Sequence, residues 1–93
     1  MAIDLDKTYT NNELCAHTSI GDKSIILNIE NGQYYELNST STLIWNLLGE
    51  QNTISEIINI ISKKYNCQDE DIAKSVTKFL NSCFELNFIK EAE

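Results

Sequence analysis

The sequence predicts an α+β domain in which a three-stranded antiparallel sheet is followed by three helices. Three observations carry this expectation. Apolar residues before Asn38 fall in short, β-branched runs, whereas after it they recur at helical spacing. The dipeptide Asn31-Gly32 separates two of the early runs, as a hairpin turn does. Further on, Thr53-Ile54-Ser55-Glu56 has the pattern of a capping box, in which the Thr hydroxyl and the Glu carboxylate satisfy the exposed amides of a helix start.

In the first half, Glu13 to Thr18 reads as a short strand bounded by Asn11-Asn12 and by Gly21-Asp22. Ser24 to Ile29 is the strongest strand, rich in β-branched residues, with Ile25, Leu27 and Ile29 on one face. Asn31-Gly32 tolerates two positive-φ positions and so predicts a tight turn. Gln33 to Leu37 returns from it, with Tyr35 and Leu37 on one face and Tyr34 and Glu36 on the other. The second half reads as helices. Asn38 or Ser39 caps the first, whose apolar stripe is Leu43, Ile44, Leu47 and Leu48 beside Trp45, with Gly49 ending it. Behind the capping box, Ile54, Ile57, Ile58, Ile61 and Tyr65 recur on one face, and Lys63 and Lys64 suit the negative end of the helix dipole. The third helix starts near Asp69, carries the stripe Ile72, Val76, Phe79, Leu80 and Cys83, and ends near Asn87, leaving Phe88 and Ile89 to pack as a short extension. A hairpin beside a helical trio matches a winged helix-turn-helix architecture by analogy.

Composition narrows the function. With 93 residues the chain is one domain. Its 14 acidic against 7 basic residues give a formal charge of −7, which repels phosphate backbones and anionic lipid. Neither nucleic acid nor membrane is expected as a partner; a basic peptide or basic enzyme suits the net charge better. Cys15, Cys67 and Cys83 show no CxxC spacing, and His17 is the sole histidine, so no metal site is expected. Cys15 and Cys83 sit among apolar neighbours as small core residues, Cys67 lies in a loop, and such usage fits a reducing cytosol. No signal-peptide pattern opens the chain, and a cytoplasmic location follows.

Catalytic patterns are poor. Cys15 and His17 share a strand face at alternate positions, the one hint of a thiol-imidazole pair, but a surface or edge histidine explains His17 as well. The acidic groups Asp69-Glu70-Asp71 and Glu91 with Glu93 suit a helix start and a solvated tail, and the three glycines are isolated, so no phosphate-cradling loop forms. No catalytic residue and no cofactor is expected. DNA binding, which the winged-helix analogy invites, meets only Lys74 and Lys78 on the polar side of the third helix, mixed with Asp71 and Glu85. It stands as the alternative function, as a DNA-binding protein or transcriptional adaptor. What remains is the sheet edge. In a meander the Gln33 to Leu37 strand is paired on one side only, and its other side is a template for an added strand. Tyr34 and Tyr35 there offer amphipathic contact area, or they are simply the surface and core of an ordinary hairpin.

The segment NGQYYELNSTSTLIWNLL resembles the signature of the PqqD-like family, the recognition elements of ribosomally synthesised and modified peptides (RiPP recognition elements). The matching positions are Gly32, Tyr34, Tyr35, Leu37, Asn38, Ile44, Trp45, Leu47 and Leu48. The capping box, the Ile-rich helix and Val76 with Phe79-Leu80 follow in register, so the likeness spans residues 13–90, with 1–12 as an N-terminal extension. The resemblance implies a winged-helix-like fold without DNA binding, in which a precursor's leader peptide adds as a strand between the third strand and the third helix. Carried over, the peptide-binding residues are Gln33, Tyr34, Tyr35, Glu36 and Leu37 on the strand, with Asp71, Ser75, Lys78, Phe79 and Ser82 on the helix. The opposite helix flank, Ala73, Thr77, Asn81 and Phe84, is the other candidate wall. The first flank is chosen because the family commonly has an acid just before the valine matching Val76. Here that position is Ser75, which implies a different leader sequence. The implied partners are the precursor leader and either a radical SAM enzyme, as in quinone-cofactor synthesis, or a leader peptidase, as in lasso-peptide pathways. A chain this short is expected to act as a discrete recognition protein rather than as a domain fused to its enzyme.

Overall fold

Six residues on each side of Gly21-Asp22 pair in full register, from Cys15 opposite Asn28 to Ile20 opposite Lys23. Gly21 takes φ +65°, the left-handed conformation that a two-residue hairpin turn requires and that glycine adopts without strain. The tight turn of the sheet is therefore here and not at Asn31-Gly32. The computed structural model describes residues 3–66 and 69–92. Its elements are β1 (Tyr9–Asn11), β2 (Cys15–Ile20), β3 (Lys23–Asn28), β4 (Tyr34–Leu37), α1 (Ser39–Gly49), α2 (Ile54–Tyr65), α3 (Asp69–Glu85) and β5 (Ile89–Glu91). The antiparallel order β2-β3-β4 followed by three helices is the predicted α+β architecture. Cys67, expected in a loop, lies outside the described residues.

The β3–β4 connection departs from the expected tight turn. Of Asn31 and Gly32, only Gly32 has positive φ, at +75°. The hairpin closes more widely: Asn28 N donates to Gln33 O at 2.8 Å, and Gly32 N donates back to Asn28 O at 2.8 Å. The Asn28 carboxamide oxygen accepts from the amides of Glu30 and Asn31, so a side chain does what a second left-handed residue would have done.

That use of Asn28 goes with the way β3 faces. Ile25, Leu27 and Ile29 do share one face, but it is the solvent face: Leu27 is 38% exposed and Ile29 62%. The inward face of β3 is Ser24, Ile26 and Asn28, all buried. Ser24 Oγ is hydrogen-bonded to Thr42 Oγ1 of α1 at 2.8 Å, which removes the cost of burying both hydroxyls. Ile26 alone supplies the strand's apolar contribution to the core.

The helices follow their local signals closely. Asn38 is the N-cap of α1, its side chain accepting from Ser41 N at 2.8 Å. Gly49 is the last residue of α1, as expected, and the left-handed position comes two residues later at Gln51, whose φ is +65°. The Thr53–Glu56 capping box is complete in both directions, with bonds of 2.7 and 3.2 Å. Ile54, Ile57, Ile58 and Ile61 are buried, while Tyr65 at the end of their stripe is largely exposed. α3 ends in a Schellman arrangement around left-handed Asn87: Phe88 N donates to Cys83 O and Asn87 N to Phe84 O. Phe88 and Cys83, brought together by that motif, are both fully buried.

Residues 3–12, assigned from sequence to an extension, are tied into this core. β1 pairs with β5 as a separate two-stranded sheet, and Ile3 and Tyr9 are buried. No helix among the described residues is long and apolar enough to cross a membrane.

Candidate functional site

Strand alternation and the β3–β4 register decide what β4 presents. Leu27 pairs with Tyr34 and Ser24 with Leu37, so Tyr35 and Leu37 turn toward the helices while Tyr34 and Glu36 face outward. Leu37 is buried, Tyr35 half-buried, and Tyr34 is 65% exposed. The Tyr35 ring meets Phe79 of α3 edge-on, with centroids 6.3 Å apart, and Phe88 likewise at 6.4 Å. These two contacts fix the strand against the helix.

β4 is hydrogen-bonded to β3 on one side and is the last strand of its sheet. Its other side opens onto a groove of about 510 Å³ whose far wall is α3. Of the residues singled out from sequence, Tyr35, Glu36 and Leu37 line it from the strand, and Ser75, Lys78, Phe79 and Ser82 from the helix. Positions 75, 78 and 82 fall on one flank because they are spaced by three and four residues. Gln33, Tyr34 and Asp71 do not line it. Gln33 lies in the turn before β4, Tyr34 points outward, and Asp71 is exposed one helical turn before Ser75. The opposite flank of α3, with Ala73, Thr77 and Asn81, borders a separate shallow hollow.

Three lining residues were missed: Lys23, Asn38 and Ser41. Lys23 begins β3, next to the residue that pairs with Leu37, so the hairpin register places it at the end of the groove. Asn38 and Ser41 come as the start of α1. The only sequence signal for Lys23 was that register, and it required knowing where the wider turn closes. Ser82 Oγ donates to the Lys78 carbonyl at 3.1 Å, and Lys78 is the basic residue that α3 contributes to the lining.

The thiol-imidazole hint does not produce a reactive pair. The His17 ring is exposed and lies 5.8 Å from the Trp45 ring, centroid to centroid. Burial pushes the Cys15 thiol above its ordinary value, only partly offset by a hydrogen bond from the Leu27 backbone. Burial, with Cys15 nearby, pushes Cys83 up to about 12. An activated nucleophile needs the opposite shift. Iodoacetamide at about pH 8 is therefore expected to leave Cys83 unmodified and to label Cys15 more slowly in the folded than in the urea-unfolded protein. Peptide mass spectrometry reads both sites; folded Cys15 reacting faster than unfolded would reinstate the pair. Among the described residues, no group of three or more His, Cys, Asp or Glu is placed to hold a metal ion.

The pattern of the family described as coenzyme PQQ synthesis protein D (PqqD) matches residues 23–89. No curated protein matches the sequence. Two solved structures are similar. One, described as TbiB1 in complex with the TbiA(beta) leader peptide, has a TM-score of 0.83 at 20% identity, over 90% of this chain and 98% of that one. The other, described as lasso peptide synthetase B1 complexed with the leader peptide, has a TM-score of 0.81 at 16% identity, over 88% of this chain and 96% of that one. At these identities the likeness is one of fold.

Proposed function

This chain belongs to the PqqD family, and from that premise we propose that it binds the leader segment of a ribosomally synthesised precursor peptide and presents it to a modifying enzyme or leader peptidase. The leader adds as a strand beside β4. Backbone bonds along Tyr34–Leu37 supply affinity, and guest side chains facing α3 set the register. The observation that carries the reading is the unpaired edge of β4 opening onto the groove with α3. The two similar structures support it, each being described as a complex with a leader peptide.

In this reading Tyr35, Leu37, Phe79, Lys78, Ser75 and Ser82 meet the inward side chains of the guest. Gln33, Tyr34 and Glu36 contribute through the backbone and the outer face, and Asp71 is reached only by a guest long enough to run past Ser75. The chemistry belongs to the partner, a radical SAM enzyme or a leader peptidase of the classes this family serves. The chain contributes local concentration, holding the precursor near an active site it does not itself supply. The raised thiols of Cys15 and Cys83 agree with a non-catalytic role, and a ribosomal guest puts that role in the cytoplasm. The alternative of a DNA-binding winged helix finds no support: α3 offers Lys74 and Lys78 among Asp71 and Glu85, on a chain of charge −7.

Titrating isotope-labelled protein with synthetic leader segments of co-encoded short precursors is expected to shift the amide signals of Tyr34–Leu37 and of α3 from Ser75 to Ser82. Shifts confined to β2 or α2 would overturn the site. Tyr34→Ala, on the exposed face, should weaken binding less than Phe79→Ala, which removes the groove's aromatic wall.

A further inference from the structure

We propose that the β4–α3 groove selects a leader strand with an acidic side chain on its inward face, the reverse of what the net charge of the chain suggests. This rests on the peptide-binding reading and names the guest it takes. The protein carries twice as many acidic as basic residues, 14 against 7. The groove inverts that ratio, gathering Lys23 and Lys78 against the single carboxylate of Glu36. The two lysines reach it from different sides: Lys78 from α3, facing the inward side chains of a guest, and Lys23 from the start of β3, on the outward face it shares with Ile25 and Glu36.

Among the described residues neither is neutralised by an ion pair. Among the described residues, the ion pairs are Lys7–Glu91 and Lys90–Glu13, which join the β1–β5 side of the fold. Lys23 and Lys78 have no acidic partner within that set, and both are exposed enough to reach a guest. The beginning of α1 adds the same sign: Asn38 and Ser41 line the groove, and the first turn of α1 holds no acidic residue against its positive dipole end.

Alternation makes the preference position-specific. Guest side chains facing α3 recur every second residue, about 6.5–7 Å apart. One of these positions sits over the Tyr35–Phe79 pair and takes an apolar group. The next falls within reach of Lys78 and takes Asp or Glu. The intervening positions face outward, where Glu36 and Lys23 lie together and their charges offset, so no acid is favoured there. The guest is an extended peptide whose acids are confined to one register.

The test uses a displayed library of random dodecapeptides, panned on the wild-type protein and on the Lys78→Glu protein. Thermal unfolding of both checks that the exposed substitution leaves the fold intact. Wild-type selections are expected to enrich Asp or Glu at alternate positions, and the variant Lys or Arg at the same ones. The acidic wild-type peptides should bind the variant about fivefold more weakly, as reversal of one exposed charge predicts. Amide shifts with a selected peptide separate the two levels of inference. Peptides that shift Tyr34–Leu37 but carry no acid preference overturn this proposal and leave the peptide-binding reading standing. Shifts elsewhere, or no enriched peptide, overturn both.

Discussion

Deleting residues 1–12 is expected to destabilise the protein by about 3–6 kcal/mol, taking about 1.5–3 kcal/mol for each of two buried side chains. Ile3 is 8% exposed and Tyr9 4%. Tyr9 stands edge-on to Phe84 at 5.8 Å, and its hydroxyl accepts from Asp4 N at 2.8 Å. Ile3 N donates to Asn81 Oδ1, Ser55 N to Leu5 O, and Ala92 N to Thr8 O, so the segment also ties down both α3 and β5. Against a typical domain stability of about 5–15 kcal/mol, that loss is large. Urea unfolding should show a lower midpoint and a smaller slope, since less surface is exposed on unfolding. An unchanged midpoint would mean that the segment is the dispensable extension its sequence suggested.

Phe88→Ala should cost about 3–5 kcal/mol, the range for removing a fully buried aromatic ring. Phe88 has no exposed surface, closes the Schellman motif of α3 and packs edge-on against Tyr35 at 6.4 Å. Its loss therefore reaches the groove as well as the core, because Tyr35 is held between Phe88 and Phe79. Phe88→Leu, which keeps much of the volume, should recover most of the stability in the same urea measurement. Equal losses for Leu and Ala would show that the ring-to-ring contact, and not filled volume, holds this end of β4.

The helices were the legible part of the fold. The Asn38 cap, the Thr53–Glu56 box and the isoleucine stripe of α2 all depend on residues within two turns of each other, so they read the same in the sequence and in the folded chain. Turn shape was less legible. Asn31-Gly32 carries the composition of a two-residue turn, yet the Asn28 side chain offered its amides an alternative acceptor, and the wider loop resulted. α1 does end at Gly49, but the left-handed residue that follows is Gln51, with Asn52 Nδ2 donating to Leu47 O at 2.8 Å.

The candidate groove divides along the same line. Its strand wall, and the α3 flank that lines it, follow from period-two and period-3.6 spacing, with the choice of flank supplied by the family resemblance. Lys23, Asn38 and Ser41 could not be read that way, because they arrive from β3 and α1 once those elements dock.

Which segments are helical or extended was written in short-range patterns, since caps, turns and periodicity are bonds and contacts among near neighbours. Which side of β3 became the interior was not, because both sides of that strand carry isoleucine. Docking made the choice: the inner face is the one whose serine finds Thr42 on α1 and whose asparagine holds the turn. The same long-range packing brought the first residues into the core and set Lys23 and Lys78 around one groove.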